Sequence, residues 1–287
     1  MTKIELTPSL NIMRQHEFER FSALIYDEAG IKIPPVKKTM LEARLQKRLK
    51  ALGMHSFEEY ADFVFSLEGQ RQEMVHLVDV VTTNKTDFFR EPQHFDFLVR
   101  QVLPNLRHGR EGSALRAPFK IWSAGCSTGE EPYTMAMVLY EYAQAHPGFR
   151  FTITASDICT RVLKTAKAAI YPEDRVDTIS LAFKQKYLLR SKDKKKGLVR
   201  ICGELRNQVH FHRINLMDDE LGIREPQDVI FCRNVIIYFD KPTQARLMQK
   251  FHRRLAPGGF LFLGHSETLN GLDVPFQPVG PTVYRKA

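Results

Sequence analysis

Apolar runs long enough to cross a bilayer are missing from this chain, and so is a signal-type apolar stretch near its N-terminus. A soluble, cytoplasmic protein is therefore expected. Cysteine is scarce: Cys126, Cys159, Cys202 and Cys232 stand far apart and form no CxxC pair. That spacing fits neither a zinc site nor a secreted disulfide framework. Each cysteine lies in or beside an apparent strand or turn, so reduced thiols and no metal are expected. No nucleophile–base dyad stands out. Acidic residues are outnumbered, 33 against 42 lysines and arginines, for a formal charge of +9. Such a balance favours an acidic partner (nucleic acid, anionic membrane or acidic protein surface), and charge alone does not choose among them.

Residues 1–82 read as a helical domain. Phe18, Phe21, Leu24 and Ile25 recur at helical spacing, and Gly30 fits a C-terminal stop. After Pro34-Pro35, Leu41, Leu45, Leu49 and Leu52 make the apolar stripe of a second helix. On another face of that helix stand Lys37, Arg44, Lys47 and Arg48, a basic stripe about 16 Å long at the helical rise. Ser56 and Glu59 make a capping-box pattern for a third helix, with Phe57, Tyr60, Phe63, Val64 and Leu67 inward. Met74, Leu77, Val78 and Val81 give a fourth.

Residues 83–118 read as a linker segment. Polar Thr82–Asp87 leads to Phe88-Phe89-Arg90-Glu91-Pro92, a helix His94–Leu103 is closed by Pro104, and a basic, glycine-containing loop follows to Pro118. From Phe119 strand and helix alternate. Strands are expected over Phe119–Gly125, Arg150–Ser156, Val209–Ile214, Asp228–Cys232, Phe260–Gly264 and Thr282–Arg285, with helices over Glu130–His146, Arg161–Ala169 and Pro242–Leu255. This alternation implies an α/β fold with a parallel sheet, whose ligands bind at the carboxyl ends of the strands. Gly125, Asp157, Asn215 and Asn234 all fall at such ends. The alternation is interrupted at about 172–207, where helical Leu181–Tyr187 leads into two short apolar runs around the lysine-rich tip Ser191–Lys196. These runs read as a projecting hairpin whose edge can pair with an extended peptide.

The most informative segment is Ile121-Trp122-Ser123-Ala124-Gly125-Cys126-Ser127-Thr128-Gly129-Glu130-Glu131-Pro132-Tyr133. A strand enters a turn of small residues, and a helix starts at once, so backbone N–H groups face a ligand site. Glu130 and Glu131 in the first helical turn would repel phosphate. A ligand with hydroxyls and a cationic amine fits better, and S-adenosyl-L-methionine has both. Asp157, after the second strand, is placed to accept from ribose hydroxyls or to cap the next helix. Asn215 and Asn234 offer both donor and acceptor.

Taken together, several blocks resemble the chemotaxis receptor methyltransferase (CheR) family. They are Thr82-Thr83-Asn84 with Thr86 and Phe88-Phe89-Arg90-Glu91; Trp122-Ser123-Ala124 with Cys126–Tyr133; Ala155–Ile158; Asn215-Leu216; Phe231–Val235 with Ile237-Tyr238-Phe239; and Gly264-His265-Ser266-Glu267. The resemblance implies a class I S-adenosylmethionine-dependent methyltransferase with a Rossmann-like seven-strand sheet, a small inserted β-subdomain and an N-terminal helical domain. It implies esterification of glutamate side chains in the cytoplasmic helical bundle of chemoreceptors, with S-adenosyl-L-homocysteine as product and adaptation of chemotactic signal transduction as purpose. The family's cofactor positions fall on Asn84, Thr86, Arg90, Glu131, Asp157, Asn215, Leu216, Arg233 and Asn234. Arg90 and Tyr238 are the expected catalytic pair. Lys37, Arg44, Lys47 and Arg48 are expected to meet the acidic receptor bundle, and a receptor C-terminal peptide is a further expected partner at the β-subdomain.

A glutamate carboxylate is ionised at neutral pH and attacks a sulfonium methyl without a general base, so the missing dyad is consistent with this chemistry. Two departures from the family stand out. The hairpin tip is lysine-rich where enteric members carry glycines, and position 125 is glycine where many members have alanine, an exchange expected to be harmless. A nucleic-acid methyltransferase would also be basic, but the Asn234-Val235-Ile236-Ile237-Tyr238 run lacks the prolines of a base-flipping motif. A non-catalytic cofactor sensor would not need both Arg90 and Tyr238. A monomer without nucleic-acid or membrane-inserting activity is expected.

Overall fold

A computed structural model describes residues 12–108 and 117–286. The chain forms two units, one ending at Thr83 and the other beginning at Asn84. In the first, helices α1 (Gln15–Ala29), α2 (Lys38–Leu52), α3 (Phe57–Phe65), α4 (Leu67–Gln72) and α5 (Met74–Val81) enclose one core. Phe18, Phe21, Ile25, Leu41, Leu45, Leu49, Tyr60, Val64 and Leu77 fill it. Gly30 ends α1 in the left-handed region (φ 69°) and donates to the Tyr26 carbonyl, the role its lack of Cβ suits. Ser56 caps α3 by accepting from Glu59 N at 3.0 Å. Leu67 departs from expectation. Ser66 leaves the helix and caps a new one, so Leu67 opens α4 and stands 79% exposed.

The basic stripe of α2 divides in two. Lys37 falls outside the helix, at the end of a 3₁₀ turn (Pro35–Lys37) just ahead of α2, and it and Lys47 are exposed. Arg44 instead donates to the Val81 carbonyl and, at 2.9 Å, to Thr83 Oγ1. Arg48 grips Glu73 through two bonds of 2.6 and 2.8 Å, and the Tyr60 hydroxyl adds a third at 2.9 Å. Glu73 is buried, so this pair fastens α2 to the start of α5.

In the second unit, α6 (Gln93–Phe97) passes through a π-helical turn, Leu98–Val102, into α7 (Leu103–His108). Pro104 therefore does not end the helix. The wider turn lies just ahead of the proline, where a regular ladder would have set its ring against a carbonyl four residues back. Phe88, Phe95 and Leu98 join the core of the sheet, so residues 84–108 belong to this unit's packing. Of the expected loop Asn105–Pro118, the first residues are helical, and 109–116 lie outside the described residues.

The elements that follow are β1 (Phe119–Ala124), α8 (Glu130–Ala145), β2 (Phe151–Asp157), α9 (Thr160–Ala168), β3 (Ile170–Pro172), α10 (Leu181–Tyr187), β4 (Leu188–Arg190), β5 (Leu198–Ile201), α11 (Gly203–Arg206), β6 (Val209–Arg213), β7 (Gln227–Cys232), α12 (Lys241–Arg254), β8 (Leu255–Leu263), β9 (Phe276–Gly280) and β10 (Val283–Lys286). Seven strands form one sheet in the order β6-β2-β1-β7-β8-β10-β9. The first five are parallel, and β10 runs antiparallel to both neighbours. Side chains alternate as the strand period requires. Ile121, Ile153, Val229, Phe231 and Phe262 pack on one face, and Trp122, Ile230, Leu261 and Leu263 meet Leu247 and Phe251 of α12 on the other. Pro257-Gly258-Gly259 does not interrupt β8 but lies within it, at a register shift against β7. The sequence showed no sign of β9, and β3 joins β4 and β5 to make the expected hairpin a three-stranded sheet. Among the described residues no helix is long and apolar enough to cross a membrane.

Arg48→Ala should strand the buried Glu73 carboxylate. A loss of about 3–5 kcal/mol in the stability of the helical unit is expected, the scale of a broken buried pair. Urea unfolding followed by circular dichroism will show it, and a change under 1 kcal/mol (about one surface pair) would mean the pair is not an anchor.

Candidate functional site

The parallel strands β6, β2, β1 and β7 are neighbours, so their carboxyl ends line one edge. At that edge the turn after β1 is tightly held. Gly125 N and Cys126 N both donate to the Ser156 carbonyl at 2.8 Å. Gly125, Ser127 and Gly129 have φ of 85°, 50° and 99°. A Cβ on Gly125 would lie 2.5 Å from Val235 Cγ2, and one on Gly129 would lie 2.9 Å from the Tyr171 hydroxyl. Glycine suits position 125 in this chain, and an alanine there would need a strained backbone and a shift of Val235.

Asp157 ends β2 with its carboxylate fixed from two sides, by Ser127 N on Oδ2 (2.8 Å) and Cys159 N on Oδ1 (2.9 Å). Glu130 and Glu131 separate. Glu130 turns inward to Arg175 (2.8 Å) and Thr128 Oγ1 (2.6 Å). Glu131 stays 14% exposed, accepts from Ser123 Oγ at 2.7 Å and faces Arg233 Nη1 at 3.3 Å. Burial raises the Glu131 carboxyl above its usual range, with Arg233 and Ser123 opposing.

Arg233, at the end of β7, is the hub. Its guanidinium is 2% exposed and meets Glu91 Oε2 at 3.1 Å as well as Glu131. It also donates to the Arg90 carbonyl and lies over the rings of Phe95 and Phe231. Burial alone would raise the Glu91 carboxyl, but Arg233 and the His265 N–H hold it below the ordinary range. Phe89 and Glu91, either side of Arg90, have φ of 52° and 55°. Positive φ at bulky residues is strained, and contacts such as that of Arg233 keep it in place. Asn234 is also left-handed, at φ 59°. Its backbone N–H donates to Glu267 Oε2 at 2.8 Å, and Glu267 takes further N–H groups from Gly264 (2.7 Å) and Ile237 (3.2 Å).

The remaining expected residues gather here to different degrees. The Asn84 carbonyl accepts from Ser127 Oγ at 2.9 Å, and its amide lies 3.7 Å from Cys159 Sγ. Thr86 is buried, its carbonyl held by Arg175 at 2.7 Å. Asn215 turns its Oδ1 to Met217 N (3.0 Å), and the buried Leu216 joins the core beside α12. The Arg90 guanidinium reaches the Lys85 carbonyl at 3.1 Å. Tyr238 ends a short 3₁₀ turn, Ile236–Tyr238, that Glu267 pins. No hydrogen bond joins Arg90 to Tyr238 among the described residues. Lys37, Arg44, Lys47 and Arg48 belong to the other unit. Sequence reasoning did not single out Ser127, Arg175, Glu91 or Glu267 as organisers. Glu91 and Glu267 stood in recognisable blocks, but Arg175 binds groups 45 and 89 residues away and carried no local signal.

Two partly or fully anchored carboxylates beside a turn of backbone N–H groups suit a ligand carrying an amine and a diol, the donor pattern of S-adenosylmethionine. Comparison with known proteins agrees. Residues 84–285 match the family model "CheR methyltransferase, SAM binding domain", and residues 16–82 match "CheR methyltransferase, all-alpha domain". A chemotaxis protein methyltransferase of Borreliella burgdorferi is 40% identical, covering 97% of each chain. One of Salmonella typhimurium is 39% identical over 98% of this chain and 93% of that one. One of Escherichia coli is 38% identical over 98% and 94%.

Gly125→Ala should cost roughly 1–2 kcal/mol of stability from left-handed strain, and more from the Val235 contact. Thermal melts should show Val235→Ala recovering only the steric part in the double variant. A melting temperature for Gly125→Ala equal to the parent's would contradict this geometry.

Proposed function

The chain belongs to the CheR methyltransferase family, and from that premise we propose that it methylates glutamate side chains of chemoreceptor cytoplasmic helical segments. The observation that carries the reading is Arg233 holding Glu91, Glu131 and the backbone of Arg90 together at the carboxyl edge of the sheet. S-adenosylmethionine supplies an electrophilic methyl group on a sulfonium. Asp157 would accept from its ribose hydroxyls, and Glu131 from its amine. Asn84, Thr86, Asn215, Leu216, Arg233 and Asn234 would line or support the same site.

In the reaction a carboxylate oxygen–carbon bond forms and the carbon–sulfur bond breaks. No proton moves. Arg90 would orient the substrate carboxylate, and Tyr238 would position the reacting groups, so the protein contributes mainly alignment. Arg90 cannot hold the carboxylate too tightly, because its charge is lost in the reaction. Incubation with labelled methyl donor and receptor-containing membranes should yield label that base releases as methanol. Base-stable label would mean a different acceptor. Tyr238→Phe should lower kcat by roughly tenfold or more with little change in cofactor affinity. Full turnover would exclude a chemical role for the hydroxyl.

The receptor's acidic bundle is proposed to meet the basic face of α2. Because Arg44 and Arg48 also fasten the domain, the exposed Lys37 and Lys47 make the cleaner test. Opposite potentials accelerate encounter, and salt screens them within about 8–10 Å. Lys37→Glu with Lys47→Glu should raise KM for receptor most at low ionic strength, with the gap narrowing as salt is added. Kinetics equal to the parent's across the series would leave this face as solvated surface. The outer strand β4, with Leu189 exposed, is the proposed site for a receptor C-terminal peptide by strand addition. Action as a cytoplasmic monomer completes the proposal.

A further inference from the structure

We propose that Glu91, His94 and His265 form a binding site for one divalent cation of the zinc type. Glu91 lies just ahead of α6, His94 is the second residue of that helix, and His265 sits in the turn after β8. One ligand atom from each lies within 4.8 Å of the others. His94 Nδ1 is 3.4 Å from Glu91 Oε2, and His265 Nε2 is 3.9 Å from the same oxygen.

The buried Nδ1 of His94 is the unpartnered atom of the cluster. The ring is buried, edge-on to Phe231 and Phe262. Nε2 lies 3.0 Å from Thr282 Oγ1. With the proton on Nε2, donated to Thr282 Oγ1, Nδ1 presents the lone pair that a metal ligand needs. Nδ1 has no hydrogen-bond partner and faces a carboxylate oxygen. Two lone pairs then oppose each other in a buried place, an arrangement that a cation between them converts from repulsive to attractive.

The donor set selects the metal. Two imidazole nitrogens and one carboxylate, with a water in the fourth place, suit zinc better than magnesium or calcium, which prefer oxygen. The Nε2–H bond behind His94 is the kind of outer contact that orients a metal-bound imidazole. Thr282 accepts it from a left-handed backbone (φ 53°) that a β-branched residue adopts only under constraint. Arg233 on Glu91 opposes the cation, but Glu131 on its far side leaves that three-residue chain with a net negative charge. His265, 52% exposed, opens the site to solvent. Occupancy would tie the segment carrying Arg90 to the turn after β8.

The test uses the full chain, freed of metal by chelation and titrated calorimetrically with zinc. One equivalent should bind and raise the melting temperature. X-ray absorption at the zinc edge should show nitrogen and oxygen ligands with imidazole scattering and no sulfur, which excludes capture by the four buried thiols. His265→Ala, at an exposed position, should remain folded and weaken binding at least tenfold. His94→Gln should do the same if it folds. Absence of saturable binding, sulfur ligands, or unchanged affinity in His265→Ala would each overturn the site.

Discussion

A guanidinium buried between two carboxylates organises this site. Arg233 is nearly inaccessible to water, and a charge in such a place is tolerated only with partners that replace its hydration. Glu91 comes from the segment before α6, Glu131 from the first turn of α8, and the third partner is the carbonyl of Arg90. Each partner is thereby fixed relative to the end of β7. The strained φ values at Glu91 and Asn234 belong to the same arrangement, since each places a group that Arg233 or Glu267 then holds.

The pattern repeats around the edge. Carboxylates are used as clamps on backbone N–H groups: Asp157 on Ser127 and Cys159, Glu267 on Gly264, Asn234 and Ile237. Charge-assisted bonds of this kind are stronger than neutral ones and stiffen the loops they hold. A methyltransferase whose substrate nucleophile is already ionised gains most from such stiffness. Its demand is alignment of oxygen, carbon and sulfur, with no proton relay to maintain.

The same economy explains why the basic face of α2 has two parts. Arg44 and Arg48 spend their hydrogen bonds on Val81, Thr83 and Glu73. Arginine suits this use because its planar fork fixes two partners at once. Lys37 and Lys47 keep their ammonium groups in solvent. A stripe drawn from spacing alone gives all four the same weight, and the structure does not.

What the sequence by itself determined follows from local rules. Helical periodicity defined α1, α2, α3 and α5, small residues marked the turn after β1, and strand–helix alternation announced a sheet whose carboxyl edge carries Asp157, Asn215 and Asn234. These depend on neighbours a few residues apart. Tertiary structure alone decided the π turn that lets the helix pass Pro104, the sheet partner β9, and the split of Glu130 from Glu131. It alone brought Arg175 to Glu130 and Thr86, and His265 to Glu91 and His94. Glu91 and His265 are 174 positions apart in the chain, and only packing of α6 against the end of β8 brings their side chains within reach. Which charge is spent on structure and which remains for a ligand is settled by burial and partner geometry, quantities that spacing does not encode.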